Sequence, residues 1–151
     1  MRIDVMGVGF DSLTMDEAVA RARDLMAERR AAYVVTPNPE IVMLCRDDPA
    51  AMQAVQGADL VLPDGIGVIY GAKILGTPLK GKTAGYDLGL EVAKLSATKG
   101  CRIFLLGGKP ASENADSIAD QAAEKLRERF PGVNIVGTYH GYFKKEGPEN
   151  D

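Results

Sequence analysis

The chain has 151 residues, the size of one ordinary domain, and 46% of them are hydrophobic while 26% are charged. This balance excludes a mainly disordered chain, since such chains are poor in aliphatic residues and rich in net charge. The net charge of −3 excludes a global field that attracts nucleic acid. The N-terminus lacks a signal-peptide pattern, no apolar run reaches the ~20 residues of a membrane span, and Cys45 and Cys101 are too few for a disulfide framework. These features predict a cytoplasmic protein.

Apolar periodicity predicts short strands that alternate with longer helices. In the first half these are a strand at 2–6, a helix from about 14 to 30, a strand at 32–36, a helix from 38, a strand at 59–62 and a helix at 66–75. Thr14-Met-Asp-Glu17 has the spacing of a capping box. Asn38 before Pro39 has the pattern of a helix N-cap. Asp47-Asp48-Pro49 predicts that one helix ends and the next begins.

The second half continues the alternation. After a loop at 76–83 we expect a helix at about 85–98, a buried apolar strand at 101–106, a helix at about 112–130 and a strand at 133–138. This order predicts an α/β fold, Rossmann-like, with a mostly parallel sheet and helices on both faces. We predict one core over residues 1–143 and a polar tail at 144–151.

In such sheets ligands bind at the carboxyl ends of strands, so four loops become candidates: 7–12, 36–39, 63–67 and 107–110. The first, with Gly7 and Gly9, fails the full G-x-G-x-x-G fingerprint, which favours a tight turn. Gly107-Gly108-Lys109 fails the phosphate-loop pattern but lies between a strand and a helix. It therefore fits both a phosphate site at a helix N-terminus and a plain connector.

Polar side chains at these strand ends have two interpretations each. Asn38 is more simply a cap than a ligand. Asp64, in Pro-Asp-Gly, is a turn residue or a general base, because aspartate is ionised at neutral pH. Lys80 and Lys82 are solvated loop charges or cations beside Asp64. His140 is the only histidine, and no spacing typical of metal ligands stands out.

Four apolar residues outside these loops are most simply interpreted as core. They are Tyr33, Met43, Met52 and Tyr70.

Five segments together resemble one family. They are VVTPNPEIVMLCRDDP (34–49), ADLVLPDGIGVIYGAKILG (58–76), AGYDL (84–88), FLLGGKP (104–110) and FPGVNIVGTYHGYF (130–143). Their order and their amino-acid sequences are similar to those of the WecG/TagA/CpsF glycosyltransferases, glycosyltransferase family 26. The resemblance covers almost the whole chain up to about Phe143.

The resemblance implies an inverting transfer of an N-acetylmannosamine-type sugar from a UDP-sugar donor. The implied acceptor is N-acetylglucosamine on undecaprenyl diphosphate, in cell-wall or surface polysaccharide synthesis at the inner face of the membrane. It places the general base on Asp64 and lines the pocket with Thr36 and Asn38. For the donor and its diphosphate we expect Lys82, Gly85, Asp87, Gly107, Gly108, Lys109 and Tyr142. No metal cofactor is expected, since cations and helix N-termini can stabilise the leaving diphosphate.

Two departures from the family pattern bear on this expectation. Lys82 stands where the family usually has arginine. Lysine keeps the positive charge but cannot bind phosphate oxygens bidentately as arginine does. Family members continue past the HGYF motif with a further strand and often a helical appendage, so we expect that part to be missing here. A sheet edge left open in this way would favour self-association. Two alternatives stay open: a non-catalytic UDP-binding module, and a dinucleotide-dependent oxidoreductase that the failed glycine fingerprint disfavours.

Overall fold

The computed structural model describes residues 2–28 and 30–143, so the predicted tail at 144–151 lies outside the described residues. The chain divides into two compact units, Met1–Glu91 and Val92–Asp151. The extent of the core predicted over 1–143 stays a prediction.

Helices and strands alternate through most of the described chain. The strands are β1 (Arg2–Val5), β2 (Val8–Asp11), β3 (Val34–Val35), β4 (Leu60–Val61), β5 (Arg102–Leu106) and β6 (Asn134–Tyr139). The helices are α1 (Met15–Ala27), α2 (Pro39–Asp47), α3 (Pro49–Gln56), α4 (Ile66–Ile74), α5 (Gly85–Lys99) and α6 (Ile118–Arg129). β3 pairs with β4 and β5 with β6, both in parallel, while β1 and β2 are antiparallel. The predicted α/β class with parallel strands is confirmed.

The loop predicted at 7–12 is largely a strand. Met6 and Gly7 have φ values of 56° and 92°, and they turn the chain from β1 straight into β2. Two consecutive residues with positive φ suit a tight hairpin, because their twist matches that of the strands. The tight-turn interpretation of Gly7 is confirmed, while the loop prediction is wrong. Val8 and Phe10 are fully buried at alternate positions, and this strand period was too short to stand out in the sequence.

Strand β4 is buried on both faces and organises the first unit. Leu60 and Leu62 pack against α1, in one cluster with Ala18, Ala22 and Leu25 of that helix. Val61 points to the opposite face and joins a second cluster that includes Val8 and Phe10. A strand covered on both faces is typical of parallel α/β structure. The hairpin is tied to it by the Asp11 carboxylate, which accepts a 2.9 Å hydrogen bond from the Val61 N–H.

The predicted helix boundaries are confirmed where the signal is a local cap. Thr14 and Glu17 form the capping box at the start of α1. Asp48 ends α2 and begins α3, and its Oδ1 accepts hydrogen bonds from Ala50 N–H at 2.8 Å and Ala51 N–H at 3.2 Å. Each bond satisfies a donor that the first turn of a helix leaves without a partner.

Three of the four residues interpreted as core are exposed. Met43 and Tyr70 lie on the outer faces of α2 and α4, and Tyr33 is exposed while its hydroxyl donates to Ala54 O at 2.8 Å. Only Met52 packs against the core. Hydrophobic character alone did not say which side of a helix faces inward.

The second unit contains the β5–β6 pair and α6. The predicted helix from 112 in fact begins at Ile118, after a short turn in which Ser112 bridges Ala115. The prediction of a buried strand is also wrong for one face, since Phe104 and Leu106 of β5 are exposed. Strand residues alternate between two faces, and only one face of this pair is partly buried.

A carboxylate ties α6 to β6 in this unit. The Ser117 hydroxyl donates to Asp120 Oδ2 at 2.6 Å, and the Thr138 hydroxyl donates to Oδ1. The two hydrogen bonds, that from Ser117 above all, hold the pKa of Asp120 below its ordinary value.

We expect Asp120→Asn to lower stability at neutral pH and to lose this effect in acid. Folding depresses the pKa of Asp120, so its ionised carboxylate stabilises the folded state. This stabilisation is fully present above the pKa of the unfolded chain, about 3.9, and is lost as pH falls through the pKa of the folded chain. Urea midpoints of both proteins, measured between pH 6 and pH 3, should converge as pH falls. Asp116→Asn, a neighbouring carboxylate outside this network, is the matched control. A difference independent of pH would contradict the assignment.

Candidate functional site

The carboxyl ends of β3 and β4 lie side by side in the first unit. Their parallel pairing continues past the strands, since Leu62 N–H donates to Val35 O at 2.9 Å and Asp64 N–H donates to Pro37 O at 3.1 Å. The hydrogen bond to Pro37 places Asp64 directly beside the Thr36-Pro-Asn38 segment. Three residues predicted separately as site residues therefore share one sheet edge.

Three helices begin at this edge. A Cβ atom on Gly67, in the first turn of α4, would lie 2.7 Å from Pro39 Cγ at the start of α2. A Cβ atom on Gly85, the first residue of α5, would lie 2.7 Å from Thr36 Oγ1. Glycine is therefore needed at both positions for the helix starts to approach so closely. Helix N-termini carry partial positive charge, so this edge suits an anionic ligand.

Asp64 is half-buried at the turn between β4 and α4. The next residue, Gly65, has a φ of 89°, which a side chain would disfavour, and it turns the chain directly into the helix. No side chain caps α4, whereas a hydroxyl, amide or carboxylate caps each of α1, α2, α3 and α6. A carboxylate and a helix start without a side-chain cap are thus one residue apart. Such a pair can take up a proton and bind an anion.

The Asn38 side chain is a helix cap, as the sequence favoured. Its Oδ1 accepts a 2.9 Å hydrogen bond from the Ile41 N–H at the start of α2. Because the oxygen is used in this way, the side-chain nitrogen is the group that Asn38 can offer to a ligand. Capping and ligand binding are compatible at this residue.

The two loop lysines have different environments. Lys80 Nζ lies 2.7 Å and 2.8 Å from the two carboxylate oxygens of Glu17, and its backbone N–H donates to Ser12 Oγ at 2.9 Å. This lysine, more than the Thr14 N–H, holds the pKa of Glu17 below its ordinary value. Lys80 is therefore a structural contact to α1, and the hypothesis that it lies beside Asp64 as a free cation is wrong.

Lys82 is the lysine that the fold brings to the sheet edge. Its neighbour Thr83 donates from the backbone N–H to Pro63 O at 3.0 Å, the residue before Asp64. Lys82 is exposed and has no carboxylate partner within the described part of the chain. An exposed cation next to the Asp64 segment is available for a ligand.

Two motifs of the second unit also meet. Gly107 N–H donates to Tyr139 O and Gly141 N–H donates to Gly108 O, both at 2.9 Å. Gly108 has a φ of 74°, and a Cβ atom there would lie 2.5 Å from Ile118 Cβ, so only glycine fits. The ends of β5 and β6 are therefore packed together, with Lys109 and Tyr142 exposed beside them.

The Gly107-Gly108-Lys109 loop does not open directly into a helix, which corrects the expected phosphate-site geometry. Helix α6 begins nine residues after Lys109, and the Ser117 hydroxyl accepts from the Asp120 N–H within its first turn. Lys109 O accepts a 3.1 Å hydrogen bond from the Ile118 N–H. The loop thus packs its carbonyl, not its N–H groups, against the helix start.

The ten predicted site residues divide between the two units. In the first are Thr36, Asn38, Asp64, Lys82, Gly85 and Asp87, and in the second are Gly107, Gly108, Lys109 and Tyr142. Asp87 is exposed in the first turn of α5. The role of each residue in binding or catalysis stays a prediction.

Neither a metal cluster nor a membrane-spanning helix is found in the described residues. Within 2–28 and 30–143 no group of three or more His, Cys, Asp or Glu side chains is arranged to hold a metal ion. In the same ranges no helix combines the length and apolar character needed to cross a membrane. The ring of His140 stacks on Tyr139 with centroids 4.4 Å apart, and its Nδ1 accepts from the Tyr142 N–H at 3.1 Å.

Sequence reasoning missed the residues that position the site rather than face it. The carbonyls of Pro37 and Pro63 accept hydrogen bonds from the N–H groups of Asp64 and Thr83, and Glu17 pairs with Lys80 in the loop that also carries Lys82. Glu17 and Lys80 are 63 residues apart in sequence, so no local pattern could indicate their contact.

The chain matches the model of the Glycosyl transferase WecG/TagA/CpsF family over residues 3–151. It is 34% identical over 119 residues to the N-acetylglucosaminyldiphosphoundecaprenol N-acetyl-beta-D-mannosaminyltransferase of Bacillus spizizenii, which covers 79% of this chain and 44% of that protein. It is 28% identical over 147 residues to a protein of the same name from Staphylococcus aureus strain NCTC 8325, covering 96% and 55%. The chain spans about half the length of these curated relatives.

The contact between α5 and Thr36 can be tested with two glycines of the same helix. We expect Gly85→Ala to lower the free energy of unfolding by about 1–3 kcal/mol, because the added Cβ meets Thr36. Gly89→Ala faces open space and should instead raise it by about 0.5–1 kcal/mol. Urea denaturation of both variants measures the difference. Equal gains in the two variants would show that the close approach is absent.

Proposed function

This chain belongs to the Glycosyl transferase WecG/TagA/CpsF family, and we propose that it forms the UDP-sugar-binding core of an inverting glycosyltransferase. The proposed reaction moves an N-acetylmannosamine-type sugar to N-acetylglucosamine on undecaprenyl diphosphate, at the inner face of the membrane. The names of the two relatives, which describe an N-acetylmannosaminyl transfer to this lipid-linked acceptor, support the sugar and the acceptor. A Rossmann-like arrangement of the strands is part of the proposal, and the parallel pairs β3–β4 and β5–β6 support it.

The single observation that carries the proposal is the convergence at the β3–β4 edge. There the backbone hydrogen bonds from Asp64 to Pro37 and from Thr83 to Pro63 join the segments that carry a carboxylate, an amide and a cation. Three helix starts meet at the same edge. A carboxylate next to positive charge is the combination that an inverting transfer with an anionic leaving group needs.

The proposed step is one displacement. The acceptor hydroxyl oxygen forms a bond to the anomeric carbon of the donor sugar, and Asp64 takes the hydroxyl proton. The bond between that carbon and the diphosphate breaks on the opposite face, and its electron pair leaves with UDP. Thr36 and the side-chain nitrogen of Asn38 then serve to orient the reacting groups. The placement of Asp64 at the turn into α4 supports this role.

We assign the stabilisation of the leaving diphosphate to Lys82 and the helix starts, with no metal cofactor in the proposed step. Lys82 is exposed beside the Asp64 segment, and α4 begins there without a side-chain cap. Fixed positive charge at the place where negative charge develops lowers the barrier without reorganisation. Lysine binds phosphate oxygens as a point charge rather than bidentately.

We expect Asp64→Asn to abolish most of the transfer while it leaves UDP affinity nearly unchanged. The amide keeps the shape but cannot take a proton, and general-base assistance is worth typically ~10²–10⁴-fold. Product formation with donor and lipid-linked acceptor gives the rate, and calorimetric titration gives the affinity for UDP. Activity retained in this variant would remove Asp64 from the mechanism. UDP binding by the wild-type chain without any product would favour a non-catalytic binding module, and NAD binding instead would favour an oxidoreductase.

A matched pair of lysines tests the diphosphate site. Lys82→Gln should weaken UDP binding by about tenfold or more, since it removes a charge-assisted hydrogen bond. Lys80→Gln removes the same charge from the same loop, and because Lys80 already pairs with Glu17 it should change the UDP affinity little. The loop keeps its backbone hydrogen bond from Lys80 N–H to Ser12 Oγ, and an exposed ion pair contributes little to its position. Calorimetric titration at fixed ionic strength measures both. Equal losses would indicate a general electrostatic effect and contradict the specific role of Lys82.

A further inference from the structure

Helix α4 exposes an apolar stripe that its packing does not explain. Ile66, Tyr70 and Ile74 are spaced four residues apart on one face and are 60%, 58% and 84% exposed. The opposite face is already used, since Val68 and Ala72 are buried in the core. The helix is therefore held in place by its inner face, and its outer face is free to contact something else. We call Ile66, Tyr70 and Ile74 the α4 stripe.

The segment that carries the stripe is basic in sequence after Asp64, although Lys80 within it is paired with Glu17. Residues 65–83 contain three lysines and no aspartate or glutamate, in a chain whose net charge is −3. Lys73 lies between Tyr70 and Ile74 in this helix, is exposed, and has no carboxylate partner within the described ranges. An apolar stripe flanked by cations is complementary to a surface that is apolar inside and anionic outside.

Helix α2 shows that exposed apolar side chains alone do not make a surface that fits an anionic partner. Met43 and Leu44 are also exposed, at 44% and 52%. They share their helix with the exposed carboxylates Glu40 and Asp47, which an anionic surface would repel. Helix α4 differs from α2 in that its nine residues include no aspartate or glutamate.

We propose that the α4 stripe is the surface by which this chain docks on an anionic lipid bilayer. This inference rests on the proposed function, because it gives the site access to an acceptor that is held in the membrane. Isoleucine side chains enter the boundary between headgroups and acyl chains, tyrosine lies at the level of the headgroups, and lysine binds anionic lipids.

Docking through α4 also places the candidate base at the right depth. Helix α4 has nine residues, so its length is roughly 13 Å, and Ile66 at its first position is two residues from Asp64. A helix that lies in the interface brings Asp64 to the level of the lipid headgroups. A diphosphate-linked sugar projects from the membrane at that level.

The test compares two double variants of the full chain in sedimentation with vesicles. Vesicles of phosphatidylcholine with about 30% phosphatidylglycerol serve as the probe, and no acceptor is added. We expect Tyr70→Gln/Ile74→Gln to reduce the bound fraction at least about tenfold, whereas Met43→Gln/Leu44→Gln should bind as the wild-type chain does. Lys73→Gln should weaken binding about fivefold and only when the vesicles are anionic. All five substituted side chains are exposed, so thermal unfolding should confirm that each variant folds.

Three outcomes would overturn the inference: no binding of the wild-type chain to anionic vesicles, equal binding of the stripe variant, or equal losses in both double variants. A dimer that dissociates in the stripe variant, without vesicle binding, would assign the face to a second copy and also overturn it. UDP titration of the same samples separates the two proposals. Stripe-dependent vesicle binding without UDP binding would contradict the proposed function while supporting this inference.

Discussion

The parallel hydrogen-bond ladder between β3 and β4 is the constraint on which the site depends. It runs from the bond between Asp59 N–H and Tyr33 O, through the two strands, to the bond between Asp64 N–H and Pro37 O. Proline has no N–H, so Pro37 and Pro63 accept hydrogen bonds but cannot extend a ladder in both directions. The strands β3 and β4 therefore end there, and the chain turns from each of them into a helix, α2 or α4, at the same level.

Because the backbone sets these positions, the site needs few side chains to hold its shape. Glycine lets the starts of α4 and α5 approach the edge, and a cap on α2 uses only the oxygen of Asn38. The side chains of Asp64 and Lys82 make no hydrogen bond or ion pair among the described residues, and the proposed function assigns them the chemistry. Lys80 shows the opposite arrangement, since its charge is used to attach the loop to α1 through Glu17. Two lysines two residues apart thus differ in their contacts.

The sequence predicts those parts of this structure whose causes are local. A cap such as Asn38 satisfies donors within three residues, so its pattern is visible in the chain. The partner of Lys80 and the neighbour of Gly85 are set by the fold, and no window of sequence contains both members of either pair. Tyr70 failed as a core prediction for a related reason: periodicity defines two faces of a helix, but only packing decides which face is inside.

Helix α4 joins three properties that are usually placed on separate elements. Its inner face belongs to the core, its first turn lies beside Asp64, and its outer face is apolar and exposed. Exposed isoleucine contributes nothing to the stability of an isolated chain and raises its tendency to associate, so such a face needs a partner to be useful. Because the helix is fixed by Val68 and Ala72, whatever covers the outer face is held at a set distance from the carboxylate. Under the proposed function, the same geometry would fix the direction from which a substrate approaches Asp64.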